Sequence, residues 1–252
     1  MSEPPLYPNV VVGYEENERG ADAKLLAERI IAADGGRLEI VNVAECDPAK
    51  TLGGMAESGE ADLIVLGSTH RAAIGSVSPG SVAEHLLKGA RARLVIAPKG
   101  YAKGDFAERL HIVAVGFDGM AESQAALDEA AELARRAHAS MRVIAVATPT
   151  PQLGAAAAAQ AAAEDAGPDF QTRLHDAVGE LPAELRALPV FERGDPVERL
   201  LDRADEGVDL LVLGSRGFGP VMRLLLGSVS ARVIREAPCP VMIVPRPGGS
   251  GV

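Results

Sequence analysis

A chain of 252 residues, 47% hydrophobic and 24% charged, is long enough for one large domain or two small ones and can bury a core, which excludes a wholly disordered protein. A formal net charge of -10 disfavours nucleic acid and anionic membranes as partners, since both need clustered Lys and Arg. Two cysteines, Cys46 and Cys239, suit free thiols in a reducing compartment, and no apolar stretch has the length of a signal peptide or a spanning helix, so a cytoplasmic protein off the membrane is expected.

Taken from the amino terminus, the chain repeats itself. Residues 10–44 lie without a gap on residues 113–147, with VVVGYE on VAVGFD, and residues 62–98 lie on residues 209–245, with DLIVLGS on DLLVLGS. The connection between the two matched blocks is about 44 residues longer in the second copy. Residues 99–108 are polar with glycine and read as the linker between copies. The expected units are a degenerate domain over 1–100 and a complete one over 108–247.

In the second copy, residues 111–115 are a short apolar run, residues 123–138 carry apolar side chains in helical spacing, and residues 142–146 are apolar again: strand, helix, strand. The alanine-rich stretch 155–163 reads as a helix or loop of no special chemistry. Residues 170–178 follow as a helix and 188–191 as a strand. Asp195-Pro196 opens a helix over 196–204 as N-cap and first-turn proline, 209–213 is a strand, 229–235 a last helix and 241–244 a last strand. Asp47-Pro48 takes the part of Asp195-Pro196 in the first copy, which therefore lacks the second helix and third strand. Apolar strands without alternation, separated by helices, argue for α/β architecture with parallel sheets covered on both faces.

The chemistry-bearing pattern is Gly214-Ser-Arg-Gly217, nine residues, then Gly227-Ser228. Gly214 ends an apolar strand and Gly227-Ser228 opens a helix, so the pattern sits at the carboxyl end of a parallel strand, where open sheets bind ligands. Glycines there let main-chain N–H groups approach an anion, and the helix start adds unpaired donors. The same letters also fit a turn and a cap without a ligand. The spacing is neither a Walker A loop nor a dinucleotide fingerprint. Asp118 is equally suited to helping the next helix start. Glu122 and Glu129 read as helix-face charges, Arg216 and Arg223 as solvated loop charges, and no catalytic triad, metal-ligand spacing or paired-carboxylate site is present.

With the acidic residue in VGFDGMAES and the closing APCPVMIVP, these glycines resemble the universal stress protein family, over essentially the whole chain and as a tandem of two copies. The resemblance implies Rossmann-like, adenine nucleotide alpha hydrolase-like domains with strand order 3-2-1-4-5 in the second copy. It also implies ATP as ligand, with Mg2+ accompanying the nucleotide. Asp118 would lie near the ribose or metal, the main chain at Val146 near the adenine, and Gly214, Gly217, Gly227, Ser228 and, more weakly, Ser230 near the phosphates. Family members pair through the fifth strand, so the resemblance further implies an intramolecular pseudo-dimer joined through 94–97 and 241–244, and allows a homo-dimer. The first copy keeps Gly67 and Gly80-Ser81 but has His70 for Gly217 and Glu15 for Asp118, and a weak or absent site is expected there. A regulatory, stress-response nucleotide binder without dedicated catalysis is the first functional reading. A slow ATPase or nucleotide-dependent transferase and a ligand-free assembly module are the alternatives.

Overall fold

The computed structural model describes residues 3–87, 92–104, 109–148, 166–215 and 227–245. The first copy runs β1 (Asn9–Tyr14), α1 (Glu18–Asp34), β2 (Arg37–Asn42), α2 (Pro48–Ser58), β3 (Leu63–Gly67), α3 (Ser81–Leu86) and β4 (Arg93–Ala97). The second runs β5 (Ile112–Gly116), α4 (Ala121–Ala137), β6 (Ser140–Ala147), α5 (Ala166–Gly179), β7 (Leu188–Arg193), α6 (Pro196–Ala204), β8 (Leu210–Gly214), α7 (Ser228–Glu236) and β9 (Val241–Val244). Helix starts follow the local chemistry. Asp47 accepts from Lys50 N at 3.2 Å, and Asp195 Oδ1 accepts from Val197 N at 2.8 Å and Glu198 N at 3.2 Å, each ahead of a proline whose missing N–H costs the helix nothing.

Among the described residues the strands share one nine-stranded sheet in the order β2-β1-β3-β4-β9-β8-β5-β6-β7. The second copy thus has the order 3-2-1-4-5, and the first has the same order without its third strand and the helix before it. Pairing is parallel inside each copy. Between copies β4 meets β9 antiparallel, with Leu94 opposite Ile243, Val95 opposite Met242 and Ile96 opposite Val241. Both faces of the central strands are covered, so β3 and β8 each bury four successive residues and the sheet separates two apolar layers. Each fully buried Leu, Ile or Val there contributes about 1.5–3 kcal/mol relative to exposure.

Two expectations change at the seam between copies. Glu129 is no surface charge: it is 8% exposed, and Arg93 of β4 donates to it twice, Nε to Oε1 and Nη2 to Oε2, both at 2.9 Å. The face of α4 that looks solvated in isolation lies against the first copy. Burial, then the charge and hydrogen bond of Glu129, push the buried Tyr7 phenol well above its ordinary pKa. Nearby, Asp34 accepts from Leu6 N and Tyr7 N at 2.6 Å and from Arg136 Nη1 at 3.0 Å, a second bond between copies.

The linker is also docked rather than merely solvated over its described part. Tyr101 is buried and its hydroxyl accepts from Arg29 Nη1 at 2.5 Å, while Asp22 accepts from Gly100 N at 2.9 Å and Ala102 N at 2.7 Å. Asp22 thereby replaces the water that exposed linker amides would have used.

Candidate functional site

Strand β5 pairs with β6 on one side and β8 on the other, and at their carboxyl ends a cavity of about 280 Å³ opens. Asp118, Val146, Gly214 and Ser230 line it, together with Glu122 and Thr148. Gly227 and Ser228 stand at the start of α7, directly before Val229, which also lines the cavity. Gly217, Arg216 and Arg223 lie outside the described residues.

One carboxylate oxygen of Asp118, Oδ1, accepts from Met120 N at 3.0 Å. Its main-chain N–H donates to Ser123 Oγ at 3.2 Å, and that hydroxyl donates to Met120 O at 2.9 Å. Asp118 therefore shapes the entrance to α4 and faces the cavity at once; the two readings are not exclusive. The turn passes through Gly119 at φ +75, a left-handed conformation that favours glycine. On β6, pairing with β5 stops at Gly116–Ile144, so Val146 borders the cleft beyond the end of β5.

Gly214 has a reason to be glycine that involves no ligand. A Cβ there would stand 2.4 Å from Glu122 O, at the first turn of α4. Gly67 in the first copy meets Arg19 O in the same way, at 2.2 Å from its would-be Cβ. Both glycines let a strand end touch a helix start. Ser230 fixes the same corner, its Oγ donating to Gly214 O at 3.1 Å. Gly227 has φ -58, an ordinary torsion, so nothing in its backbone conformation requires glycine.

Three neighbours escape sequence reading. Glu122, read as a helix-face charge, lines the cavity because the first turn of α4 points along the sheet's carboxyl edge. Arg173 of α5 reaches the Asp118 turn: its Nη1 lies 3.2 Å from where a Cβ on Gly119 would be, and its guanidinium stands 5.5 Å over the Phe170 ring. No local signal links a residue on α5 to a turn before α4. Ser215, just past Gly214, has a buried hydroxyl with no partner among the described residues.

The first copy's equivalent cleft is smaller, about 160 Å³, and furnished differently. Glu15 is paired with Arg19, and Asn17 Nδ2 donates to Glu15 at 2.5 Å. Hydrogen bonds from Asn17 and then Arg19 hold the Glu15 carboxyl below the usual carboxylate range. The loop after β3 closes on its own frame. Ser68 Oγ donates to Ala97 O at 2.7 Å and accepts from Ser78 N at 3.1 Å, and Thr69 N donates to Ser78 O at 3.0 Å. Val77, fully buried, donates its N–H to Ala237 O of the second copy at 2.8 Å. Lys99 Nζ donates to His70 O at 2.9 Å, and Ala83 replaces Ser230.

Among the described residues no three His, Cys, Asp or Glu side chains gather as a metal site, and no helix is long and apolar enough to cross a membrane. Burial pushes the Cys239 thiol up to about 12, which keeps it protonated and unreactive at neutral pH.

The profile of the universal stress protein family matches residues 2–98 and 110–245. Universal stress protein Rv2319c of Mycobacterium tuberculosis is 29% identical over 219 residues, covering 84% of this chain and 74% of that protein. Universal stress protein Rv1636 of the same organism is 37% identical over 142 residues, covering 52% of this chain and 94% of that protein. Among solved structures, a universal stress protein from Archaeoglobus fulgidus superposes with a TM-score of 0.60 at 18% identity, covering 94% of this chain and 96% of that one. Protein PA1789 of Pseudomonas aeruginosa does so with a TM-score of 0.66 at 13% identity, covering 96% and 93%. At those identities the two structures speak for the fold alone.

Proposed function

The chain belongs to the universal stress protein family, with the stress-response role that membership carries, and from that premise we propose that its second copy binds ATP in the cleft at the carboxyl ends of β5, β6 and β8. The observation that supports this reading most is the asymmetry between the clefts. Both clefts have a helix start beside them, α7 in the second and α3 in the first, and the second is the larger; Glu15 of the first is paired with Arg19. A helix start presents unpaired N–H groups to phosphate, and Gly217 leaves its loop without a side chain at that position.

In this reading Val146 and Thr148 flank the base, Asp118 meets the ribose or a Mg2+ ion carried by the nucleotide, and Gly214, Gly217, Gly227, Ser228 and Ser230 surround the phosphates. Asp118 and Glu122 are hard oxygen donors on one cavity wall, which fits Mg2+ once phosphate oxygens complete its shell. The metal would neutralise phosphate charge; the chain's own residues bind and orient. The units 1–100 and 108–247 act as an internal dimer about the β4–β9 seam. Among the described residues no histidine, the commonest general base, lines the cavity, which supports binding over turnover.

Small molecules released from freshly purified protein, identified by mass spectrometry, test the proposal, with titration of added ATP alongside. The expected result is an adenine nucleotide, stoichiometric and not turned over, with affinity lowered at least tenfold by Gly217→His. Repeated turnover would replace this reading with a slow ATPase or transferase. No bound or bindable nucleotide would leave an assembly module.

A further inference from the structure

The shortened first copy leaves an open edge where the second copy has none. Strand β6 is paired on both sides, to β5 and to β7, while its counterpart β2 is paired, among the described residues, only to β1 and ends the sheet. Yet β2 has kept the apolar side chains of an interior strand. Ile40 occupies the position of Val143 and Leu38 that of Met141; Val143 is 0% and Met141 1% exposed, whereas Ile40 is 46% exposed and Leu38 only half-buried. In the second copy, the unit made of α5 and β7 provides the cover that the first copy lacks.

A bare edge presents unpaired main-chain N–H and C=O groups, and the group that satisfies them is another strand. Two features choose which strand. The far edge of the sheet, β7, carries Pro189, which has no N–H to donate, so it is a poor partner for β2 in head-to-tail growth. The strand β2 carries opposite charges, Arg37 and Glu39, already paired with each other at 3.2 Å, so it is close to neutral and can meet itself. Opposed residues share a face, so a symmetric antiparallel self-pairing centres on a residue; axes at Glu39 and at Ile40 overlap most of β2, and the first opposes two carboxylates. An axis at Ile40 opposes Ile40 to Ile40, Leu38 to Asn42 and Glu39 to Val41, with no like charges facing.

We propose that β2 is an interface for a second copy of this chain, the two β2 strands pairing antiparallel about a two-fold axis at Ile40. The dimer covers the apolar positions exposed by the missing unit and joins the two sheets into one continuous sheet. Closure about a two-fold axis ends the assembly at two chains. None of these residues lines the nucleotide cleft, so this interface stands or falls apart from the ATP reading.

Sedimentation velocity on the full chain tests it. Wild type should sediment as a dimer, and Ile40→Lys and Ile40→Asp should each be monomers, since like charges then face across the axis. An equal mixture of the two variants should dimerise again through a Lys–Asp pair, which shows that neither variant had simply unfolded. Leu188→Lys, a change at a somewhat more exposed position on β7, should remain a dimer. A monomeric wild type, a dimer that survives Ile40→Lys, loss of the dimer in Leu188→Lys, or a mixture that stays monomeric would overturn the proposal.

Discussion

The two clefts of this molecule occupy the same place on the same fold and have diverged in what fills them. In the first, Glu15, Asn17 and Arg19 satisfy one another, and the loop after β3 is tied to Ala97, to Lys99 and, through Val77, to the second copy. In the second, Asp118 and Glu122 line a larger space with Arg173 close by, and the Ser215 hydroxyl, counterpart of the bridging Ser68, is buried with no partner among the described residues. The difference teaches which letters of a shared motif are architecture. Gly67 and Gly214 are alike because strand and helix touch there in both copies. His70 and Gly217 differ, and that position is where a ligand's demands can be separated from the fold's.

The largest effects should come from the shared architecture. Gly67→Val and Gly214→Val each force a side chain into a helix carbonyl and should each lower unfolding free energy by about 3 kcal/mol in urea titrations. If only Gly214→Val destabilised, the equivalence of the two corners would fail. Next comes the seam that holds the clefts in one body. Glu129→Ala leaves Arg93 partly buried without its carboxylate and should cost about 2–3 kcal/mol, at or below the lower bound for broken buried pairs because Arg93 is 33% exposed. Thermal melts of Glu129→Ala and Glu129→Gln would check it.

Ser230→Ala makes the second corner like the first, where Ala83 stands. It should cost about 1 kcal/mol of stability by removing the bond to Gly214 O. His70→Gly sharpens the comparison from the other side: calorimetry should show no added ATP site, because the Glu15–Arg19 pair still occupies the first cleft. The smallest effect is electrostatic. Hydrogen bonds from Arg135, then Arg136, with their charges, hold the Glu132 carboxyl down to about 2. A folded-state value below the unfolded one stabilises above the usual carboxylate range, and that stabilisation is lost as pH falls toward 2. Denaturation midpoints should therefore drop less steeply with acid in Glu132→Gln than in wild type, while at neutral pH the two should differ by about 1 kcal/mol or less, as for exposed pairs.

Strands and the shortened first copy were legible because apolar runs and the internal repeat are local or self-referential signals, whereas the strand order came with the family resemblance. Glu129 was not, because helical periodicity on α4 cannot reveal that a second copy covers one of its polar positions. Tyr101 was missed for a similar reason: a single aromatic anchors a segment whose composition reads as linker. Within the site, Asp118, Val146, Gly214 and Ser230, which the family resemblance groups, line one cavity. The reason for Gly214 came only from its distance to Glu122 O, and Arg173 enters from a helix far along the chain, at a separation no spacing rule covers.

The central claim is that one copy binds nucleotide and the other does not. Calorimetric titration of ATP with Mg2+ into the intact chain, freed of any bound nucleotide, tests it most directly. The account predicts a stoichiometry near one per chain, lost in Gly217→His and kept in His70→Ala. A stoichiometry near two, or one site abolished by His70→Ala and kept in Gly217→His, would contradict it.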